Sequence, residues 1–170
     1  VGFLRGLDLF KDLGPEQTAK FAAILRPVEY DEGEVIFHEK SEGQHVFIVR
    51  TGVVEIYRTI EGQERHTRLA RLSPGEIFGE LAVLDGRPRS AGARATIDPK
   101  STLLVASKRD FEHLLEENPG LATRFYRGLI RKLGDRLRRL DEDARGGRPV
   151  GRRPEGRAAG ATRGRPPCVP

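Results

Sequence analysis

The spacing of apolar residues changes twice along the chain, and the first stretch has helical spacing. Phe21, Ile24, Leu25 and Val28 follow one another at intervals of three, one and three residues, which places them on one side of a helix. Residues 3–26 are therefore predicted to form short helices.

From residue 28 onward the apolar positions form short, partly alternating runs that turn residues separate. Strands are predicted at residues 35–37, 46–49, 53–57, 67–70 and 102–105. Glycines at positions 33, 43, 52, 62 and 75 break this region about every ten residues. Short strands at such regular spacing predict a small antiparallel barrel or jelly roll.

Helical spacing returns after the last predicted strand. A short helix containing Phe111 and Leu114 is predicted to end at Asn118, because Pro119 disfavours helical backbone in the residue before it. A longer helix is predicted at residues 119–142. The predicted fold class is mainly β with flanking helices: a small antiparallel β jelly-roll barrel with N-terminal helices and a long C-terminal helix.

The long helix carries a stripe of apolar residues with heptad spacing. Its members are separated alternately by four and three residues: Tyr126, Ile130, Leu133, Leu137 and Leu140. Two interpretations fit this stripe. It packs on the barrel of its own chain, or part of it pairs with a second copy, giving a homodimer through helix 119–142.

Charge is unevenly distributed along the chain. The net charge is +5, yet residues 145–170 hold seven arginines against Glu155 alone, so residues 1–144 sum to −1. This end is also rich in glycine and proline and poor in apolar side chains, so it cannot offset the entropy lost on ordering. Residues 1–142 are predicted to form one domain and residues 143–170 a disordered Arg/Gly/Pro-rich tail, which is either simply solvated or binds polyanions weakly.

Nothing in the sequence indicates membrane insertion or export. No apolar run approaches the roughly 18 residues of a membrane span, and no basic-then-apolar leader precedes a cleavage site. We therefore expect a cytoplasmic protein without a membrane span. The chain begins at Val1 and contains no methionine, so we expect it to be trimmed or part of a longer protein, and the single cysteine, Cys168, is expected to be an exposed thiol without a role.

Candidate chemistry is concentrated in residues 75–91. Gly79 permits a close approach of the backbone to a ligand, and residues 80–84 can form one helical turn whose first N–H groups have no partner within the helix. Such N–H groups can hold an anion. Arg89 follows in a proline-braced loop and brings a planar fork of donors to the same anion. A phosphate fits these groups.

Glu80 is the unexpected member of this group, because a carboxylate beside a phosphate would repel it. Its presence makes sense if it accepts hydrogen bonds from a neighbouring hydroxyl, such as that of a ribose. A phosphate and a ribose hydroxyl together suggest a nucleotide. A surface turn beside a solvated Arg89 would have the same sequence features, so the residues alone leave both interpretations open.

Residues 75–95 resemble the phosphate-binding cassette of the cyclic-nucleotide-binding domain family, which includes catabolite-activator-type regulators, kinase regulatory subunits and cyclic-nucleotide-gated channels. The resemblance extends over residues 3–140 or so. Two motifs stand in the family's order, separated by a spacer: Phe78-Gly79-Glu80-Leu81 and Pro88-Arg89-Ser90-Ala91.

The resemblance implies a role for each site residue. Glu80 would bind the ribose 2′-hydroxyl, Arg89 the cyclic phosphate, and Ser90 would add a hydroxyl near the phosphate or the base. No catalytic residue and no metal ligand is implied. The ligand-binding residues expected on this basis are Phe78, Gly79, Glu80, Leu81, Ala82, Arg89, Ser90, Ala91 and Arg136.

The ligand implied is cAMP, with cGMP possible, because Ser90 is compatible with either base. Arg136, on the long helix, would lie over the purine or bond its edge, or it would stay in solvent. Ligand binding is implied to favour one packing of the long helix on the barrel and so to signal to an effector protein, which remains unknown.

One position departs from the family pattern. After Phe37, His38 and Glu39 the family usually has a glycine in a tight turn, and this chain has Lys40. A lysine with positive φ costs about 1–2 kcal/mol. The turn is therefore expected to adopt a different shape.

Two other functional classes compete with the binding hypothesis. The alternative is a transcription regulator of the catabolite-activator type that is truncated before, or lacks, its helix-turn-helix domain. A metal-dependent jelly-roll enzyme would need clustered ligands, and His38, His45, His66 and His113 show no close grouping. The protein is therefore not expected to be an enzyme.

Overall fold

The computed structural model of the protein describes residues 1–59, 66–96 and 100–145, with side chains as far as residue 138. The helices are α1 (Gly2–Arg5), a 3₁₀-helix (Asp8–Phe10), α2 (Pro15–Ile24), α3 (Glu80–Leu84), α4 (Lys108–Glu117) and α5 (Pro119–Arg145). The strands are β1 (Arg26–Tyr30), β2 (Val35–Phe37), β3 (His45–Thr51), β4 (Val54–Thr59), β5 (His66–Leu72), β6 (Ile77–Phe78), β7 (Gly92–Ala95) and β8 (Ser101–Ser107).

The strands form two four-stranded antiparallel sheets with the orders β1-β8-β3-β6 and β2-β7-β4-β5. One apolar cluster draws on strands of both sheets and contains Phe47, Val49, Val54, Phe78 and Leu103. Helices precede and follow the strands along the chain. This arrangement confirms the predicted fold class, a jelly-roll barrel with flanking helices.

Strand β3 shows how the sequence specifies the layers. Val46, Phe47, Ile48 and Val49 are all at most 4% exposed. Val46 and Ile48 belong to a core shared with the helices, whereas Phe47 and Val49 belong to the core between the sheets. Because both faces of the strand are covered, its sequence is an unbroken apolar run and does not alternate.

A cluster of phenylalanine rings joins the helices beside the first sheet. The ring of Phe21 in α2 lies 5.1 Å from that of Phe10 and 4.9 Å from that of Phe125 in α5. Phe111 in α4 lies 5.5 Å from Phe125 in a T-shaped arrangement, one of the geometries that aromatic pairs prefer. These contacts hold the N-terminal and C-terminal helices against each other.

The boundary between α4 and α5 follows the prediction. The side chain of Ser107 accepts a hydrogen bond from the Asp110 N–H at 3.1 Å and caps the start of α4. Asn118 ends α4, with its side-chain amide donating to the Leu114 carbonyl at 2.9 Å. Pro119 then begins α5, whose backbone continues three residues beyond the predicted end, to Arg145.

The expectation for Val28 was wrong. α2 ends at Ile24, and Val28 lies in β1, where it pairs with Leu103 of β8. Pro27 disfavours helical backbone in the residue before it, and pairing with β8 favours the extended form instead. β1, β6 and β7 were not among the predicted strands.

The expectation for Lys40 was also wrong. Lys40 has a φ of +65°, so the turn keeps the left-handed backbone for which the family uses glycine. Its N–H donates to the carbonyl of Arg89 at 2.8 Å, and the Ser41 hydroxyl donates to the His38 carbonyl at 2.6 Å. These bonds help to offset the strain of a lysine in this conformation.

The predicted apolar stripe on α5 is divided between two environments. Leu133 packs against the helical core. Tyr126, Ile130 and Leu137 expose 39%, 68% and 61% of their surface and form an exposed stripe. The interpretation that the stripe packs on the barrel of its own chain therefore holds for Leu133 and not for these three residues. The side chain of Leu140 lies outside the described residues.

Residues 146–170, which include most of the predicted tail and Cys168, lie outside the described residues. Within the described ranges, no helix combines the length and the apolar character that a membrane crossing requires.

Candidate functional site

The segment from β6 to β7 wraps around a cavity of about 260 Å³. All nine residues predicted from the sequence line this cavity: Phe78, Gly79, Glu80, Leu81, Ala82, Arg89, Ser90, Ala91 and Arg136. Five further lining residues were not named among the expected ligand-binding residues: Phe37 and Ile56, and, within the predicted segment 75–91, Asp85, Arg87 and Pro88. The predicted residues therefore meet at one place, although they come from a strand, a short helix, a loop and the long C-terminal helix.

Gly79 joins β6 to α3 and must be a glycine for two reasons. Its φ is +74°, a left-handed backbone that L-residues rarely adopt. A Cβ at this position would lie 2.6 Å from Nη1 of Arg89 and 3.2 Å from the Phe47 ring. The missing side chain thus leaves the room that the Arg89 guanidinium fills.

Arg89 is buried, with 4% of its surface exposed. Its Nη1 donates to the Gly79 carbonyl, and its Nη2 donates to the His45 carbonyl at 2.7 Å. Its Nε is buried and is the one buried side-chain nitrogen or oxygen without a hydrogen-bond partner among the described residues. A buried N–H without an acceptor is costly, so Nε marks a place where an added acceptor would be favourable.

The surroundings of Arg89 also shift its pKa. Burial lowers the pKa of Arg89, and the nearby Glu80 carboxylate opposes that shift. The main chain of Arg89 is held separately, because its N–H donates to the Ser41 carbonyl at 2.8 Å and its carbonyl accepts from Lys40. Hydrogen bonds therefore hold both the main chain and the guanidinium of Arg89 beside the cavity.

Glu80 is the first residue of α3 and is 2% exposed. Burial raises the pKa of Glu80, while its own N–H and the positive charges of Arg136 and Arg89 oppose the shift. Glu80 is thus a carboxylate withdrawn from water between two arginines. It can accept hydrogen bonds from a hydroxyl without bringing an uncompensated charge to a neighbouring anion.

Arg136 reaches the cavity from α5. Its Nη2 donates to the Ile77 carbonyl in β6 at 3.2 Å, and the side chain is partly buried. The interpretation that Arg136 stays in solvent is therefore wrong in the described structure. Its contact connects the long helix directly to the strand that leads into Glu80.

Three further lining residues are exposed to solvent: Leu81, Arg87 and Ser90. Ser90 is exposed, and its carbonyl accepts from Arg58 Nη2 at 3.4 Å. Leu81 is 47% exposed and presents an apolar side chain. Arg87 is exposed and adds a third positive charge to the lining. The cavity combines apolar walls with three arginines and two carboxylates, which suits a ligand that has an anionic group, hydroxyls and a flat apolar part.

Phe37 is the missed residue with the closest contact to the charged group. Its ring centroid lies 4.2 Å from Cζ of Arg89. In the sequence Phe37 belongs to an ordinary strand about forty positions before the cassette, so no local pattern indicates this contact. Metal binding has no candidate in the parts of the chain that the structure describes, since they contain no group of three or more His, Cys, Asp or Glu residues able to hold an ion.

A jelly roll in which a buried arginine and a buried glutamate line one cavity is the arrangement of a ligand-binding domain. Comparison with known families agrees with this conclusion. Residues 27–118 match the family model described as cyclic nucleotide-binding domain. The chain belongs to the cyclic nucleotide-binding domain family, as the sequence predicted.

Individual relatives support this membership. The chain is 35% identical to the cyclic AMP receptor protein of Thermus thermophilus over 139 residues, which are 81% of this chain and 62% of that protein. It is 32% identical to human cGMP-dependent protein kinase 2 over 103 residues, 61% of this chain and 14% of that protein. Among solved structures, it resembles the N-terminal domain of a transcriptional regulator from Streptomyces coelicolor with a TM-score of 0.66 and 32% identity, covering 78% of this chain and 93% of that one.

The chain thus spans less than two thirds of the length of these two curated relatives. What is shared is the ligand-binding domain of a regulatory protein.

Proposed function

We propose that this chain binds one cyclic nucleotide in the cavity, with Arg89 at the cyclic phosphate and Glu80 at the ribose 2′-hydroxyl. The observation that carries the proposal is the buried Arg89, whose Nε has no acceptor among the described residues. A phosphate oxygen would supply that acceptor, and a charge-assisted bond of this kind is worth about 1.5–3 kcal/mol. Phe78, Gly79, Leu81, Ala82, Ser90 and Ala91 complete the proposed contact surface.

The preferred ligand in this proposal is cAMP. Named relatives include both a cyclic AMP receptor protein and a cGMP-dependent kinase, so family membership is compatible with either base. Ser90 is exposed at the cavity and compatible with both, and Arg136 is available to lie over the purine. These observations fit either base, so the higher affinity for cAMP than for cGMP is the part of the proposal that a titration with both ligands must test.

Arg136 is the proposed link between ligand and signal. It lines the cavity and contacts β6, yet it belongs to α5. A ligand that contacts Arg136 and α3 together would favour one packing of α5 over others, which is a population shift. In this proposal the chain acts by binding and not by catalysis, and its effector is another protein or another part of a longer chain.

Calorimetric titration with cAMP and with cGMP tests the binding proposal. We expect one ligand per chain and a lower Kd for cAMP than for cGMP. 5′-AMP serves as the control, because it has the same base and ribose but an open phosphate, and it should bind more weakly. Absence of heat with both cyclic nucleotides would overturn the proposal, and equal affinity for the two would overturn only the preference for cAMP.

We also propose that the exposed stripe of α5 pairs with a second copy of the chain. Ile130 and Leu137 are each more than 60% exposed on one side of a long helix, and heptad spacing is the pattern that paired helices use. Sedimentation velocity tests this with Ile130→Glu, which should leave a monomer. Arg124→Glu is the control on the far side of the helix, where Arg124 contacts Gln17, and it should sediment as the wild type does.

The second candidate function is the ligand-binding part of a transcription regulator of the catabolite-activator type. The match to 93% of a transcriptional regulator's N-terminal domain favours it. Weak polyanion binding by the Arg-rich tail is a separate proposal. Removal of residues 145–170 should abolish salt-dependent affinity for nucleic acid if the tail provides it, and unchanged affinity would rule out a binding role for the tail.

A further inference from the structure

Arg89 contacts two aromatic rings, those of Phe37 and Phe47, that lie outside the cassette. Phe37, Phe47 and Phe78 form a cluster in which ring centroids are 5.1 to 6.0 Å apart. Cζ of Arg89 lies 4.2 Å from the centroid of Phe37 and 5.8 Å from that of Phe47. Phe37 is the nearer of the two rings, and it comes from β2, which pairs with β7 at the end of the cassette.

Stacking on a ring occupies the flat face of a guanidinium and leaves its N–H donors, which lie in the plane, for acceptors. Both Nη atoms of Arg89 already donate to main-chain carbonyls. With the Phe37 ring beneath Cζ and carbonyls bonded to both Nη atoms, Nε is the nitrogen of the group without a partner in the described chain. An aromatic contact of this kind is strengthened when water is excluded, as it is around the buried Arg89.

The chain segment that follows Phe37 holds Arg89 a second time. Lys40 and Ser41 exchange two main-chain hydrogen bonds with Arg89, each 2.8 Å long. The side chain and the backbone of Arg89 are therefore both held by residues 37–41. The cassette motif adds the carbonyl of Gly79, which accepts from Nη1 of Arg89.

We propose that Phe37 is a positioning residue for ligand binding: its ring sets the plane of the Arg89 guanidinium so that Nε can donate to the ligand phosphate. This inference rests on the proposed function and adds a residue that acts through Arg89. Because Phe37 lines the same cavity, direct contact with the ligand is the competing explanation, and the experiment must separate the two.

The test is a double-mutant cycle measured by calorimetric titration with cAMP. Phe37→Leu should weaken binding about tenfold, whereas Phe37→Tyr, which keeps the ring, should restore it. In an Arg89→Gln background, Phe37→Leu should cause no further loss, because the group it positions is gone. Equal losses in both backgrounds would mean that Phe37 acts on the ligand directly or through general packing, and would overturn the inference.

Tyr30→Leu provides the matched control. Tyr30 is a partly buried aromatic residue packed against the same apolar cluster, but it does not line the cavity. Its replacement should lower the melting temperature without changing the affinity. If Tyr30→Leu weakens binding as much as Phe37→Leu does, loss of packing explains both results and the inference fails.

A second measurement needs no ligand. The proton on Arg89 Nε should exchange slowly enough to be observed by ¹⁵N NMR in the wild type and in Phe37→Tyr, and should be lost in Phe37→Leu. Retention of that signal in Phe37→Leu would overturn the inference. Failure of the wild type to bind any cyclic nucleotide would instead contradict the proposed function, so the two failures are distinguishable.

Discussion

Two arginines five residues apart, Arg89 and Arg94, have similar neighbours and different partners. Each guanidinium lies near an aromatic ring, Phe37 for Arg89 and Tyr57 for Arg94. Arg94 also donates to the Glu55 carboxylate at 2.6 Å, and 37% of its side chain is exposed. Arg89 is almost fully buried and donates to carbonyls of the main chain.

This difference is what we expect between a structural arginine and the ligand-binding arginine of the proposed function. An ion pair with a nearby carboxylate balances the charge of Arg94 within the chain. Arg89 keeps a buried N–H without an acceptor and has Glu80 near it, itself a buried carboxylate. A buried N–H without an acceptor and a buried carboxylate both lower the free energy of unfolding. The proposed binding of a ligand explains why the chain contains them.

Replacement of the two arginines should give the largest contrast. Arg89→Ala is expected to weaken binding of cAMP about tenfold or more, because it removes charge-assisted hydrogen bonds. Arg94→Ala should leave the Kd unchanged and lower the melting temperature, since Glu55 would keep only the longer contact with Arg68 at 4.0 Å. Titration and thermal unfolding of both variants measure this. Equal affinity of Arg89→Ala and the wild type would remove the distinction.

The two glutamates extend the comparison. Glu80→Gln should weaken binding about tenfold, because a neutral acceptor replaces a charged one at the ribose. The same change should leave or raise the melting temperature of the ligand-free protein near neutral pH, since the raised pKa of Glu80 means that keeping its carboxylate charged in the folded state costs stability. Glu55→Gln is the control and should behave in the opposite way, with unchanged affinity and lower stability. A loss of stability in Glu80→Gln would contradict this assignment.

Two glycines test the space around Arg89. Gly79 and Gly86 have φ values of +74° and +69°, so alanine at either should cost about 1–2 kcal/mol of stability. A Cβ at Gly86 would meet nothing within 4 Å, whereas at Gly79 it would meet the Arg89 guanidinium. Gly79→Ala should therefore weaken binding as well, and Gly86→Ala should not. If both variants bind like the wild type, the position of Arg89 tolerates displacement and the proposed geometry is wrong.

The smallest expected effect is a dependence of binding on pH. Burial raises the pKa of Glu80 above its ordinary value of 4.5. Affinity should fall as the pH drops through that raised value, because a protonated carboxyl is a weaker acceptor for the ribose hydroxyl. Titrations between neutral and acid pH measure this fall, and Glu80→Gln should show a smaller one.

The raised pKa of Glu80 affects the stability of the ligand-free protein in the opposite direction to its effect on binding. The folded state holds the proton on Glu80 more tightly than the unfolded state does. The free energy of unfolding should therefore decrease as the pH rises from 4.5 through the raised pKa, and the decrease should be absent in Glu80→Gln. A ligand-free protein that gains stability over this interval relative to Glu80→Gln would contradict the assignment.

Sequence patterns predicted those parts of the fold in which neighbouring residues in the sequence alone indicate the structure. The apolar run of β3 and the helix end at Asn118 are of this kind. β7 was missed because Gly92, Ala93 and Ala95 have little preference for strands, and pairing with β2 and β4 extends them. Edge strand β1 was missed because its side chains are largely exposed and show no alternation.

The site divides in the same way. The cassette residues were predicted because they are close together in the sequence and match a family motif. Phe37 and Ile56 reach the cavity from separate strands, so only the sheet arrangement brings them there. Lys40 shows the limit of local preference, because its bonded turn keeps a left-handed backbone that lysine disfavours.

Helix α5 places a cavity-lining residue and a solvent-exposed apolar residue next to each other, Arg136 at the cavity and Leu137 on the exposed stripe. If a second copy covers that stripe, ligand binding and association become linked equilibria, and each changes the other by the same free energy. The measured Kd for cAMP would then depend on the protein concentration at which it is determined.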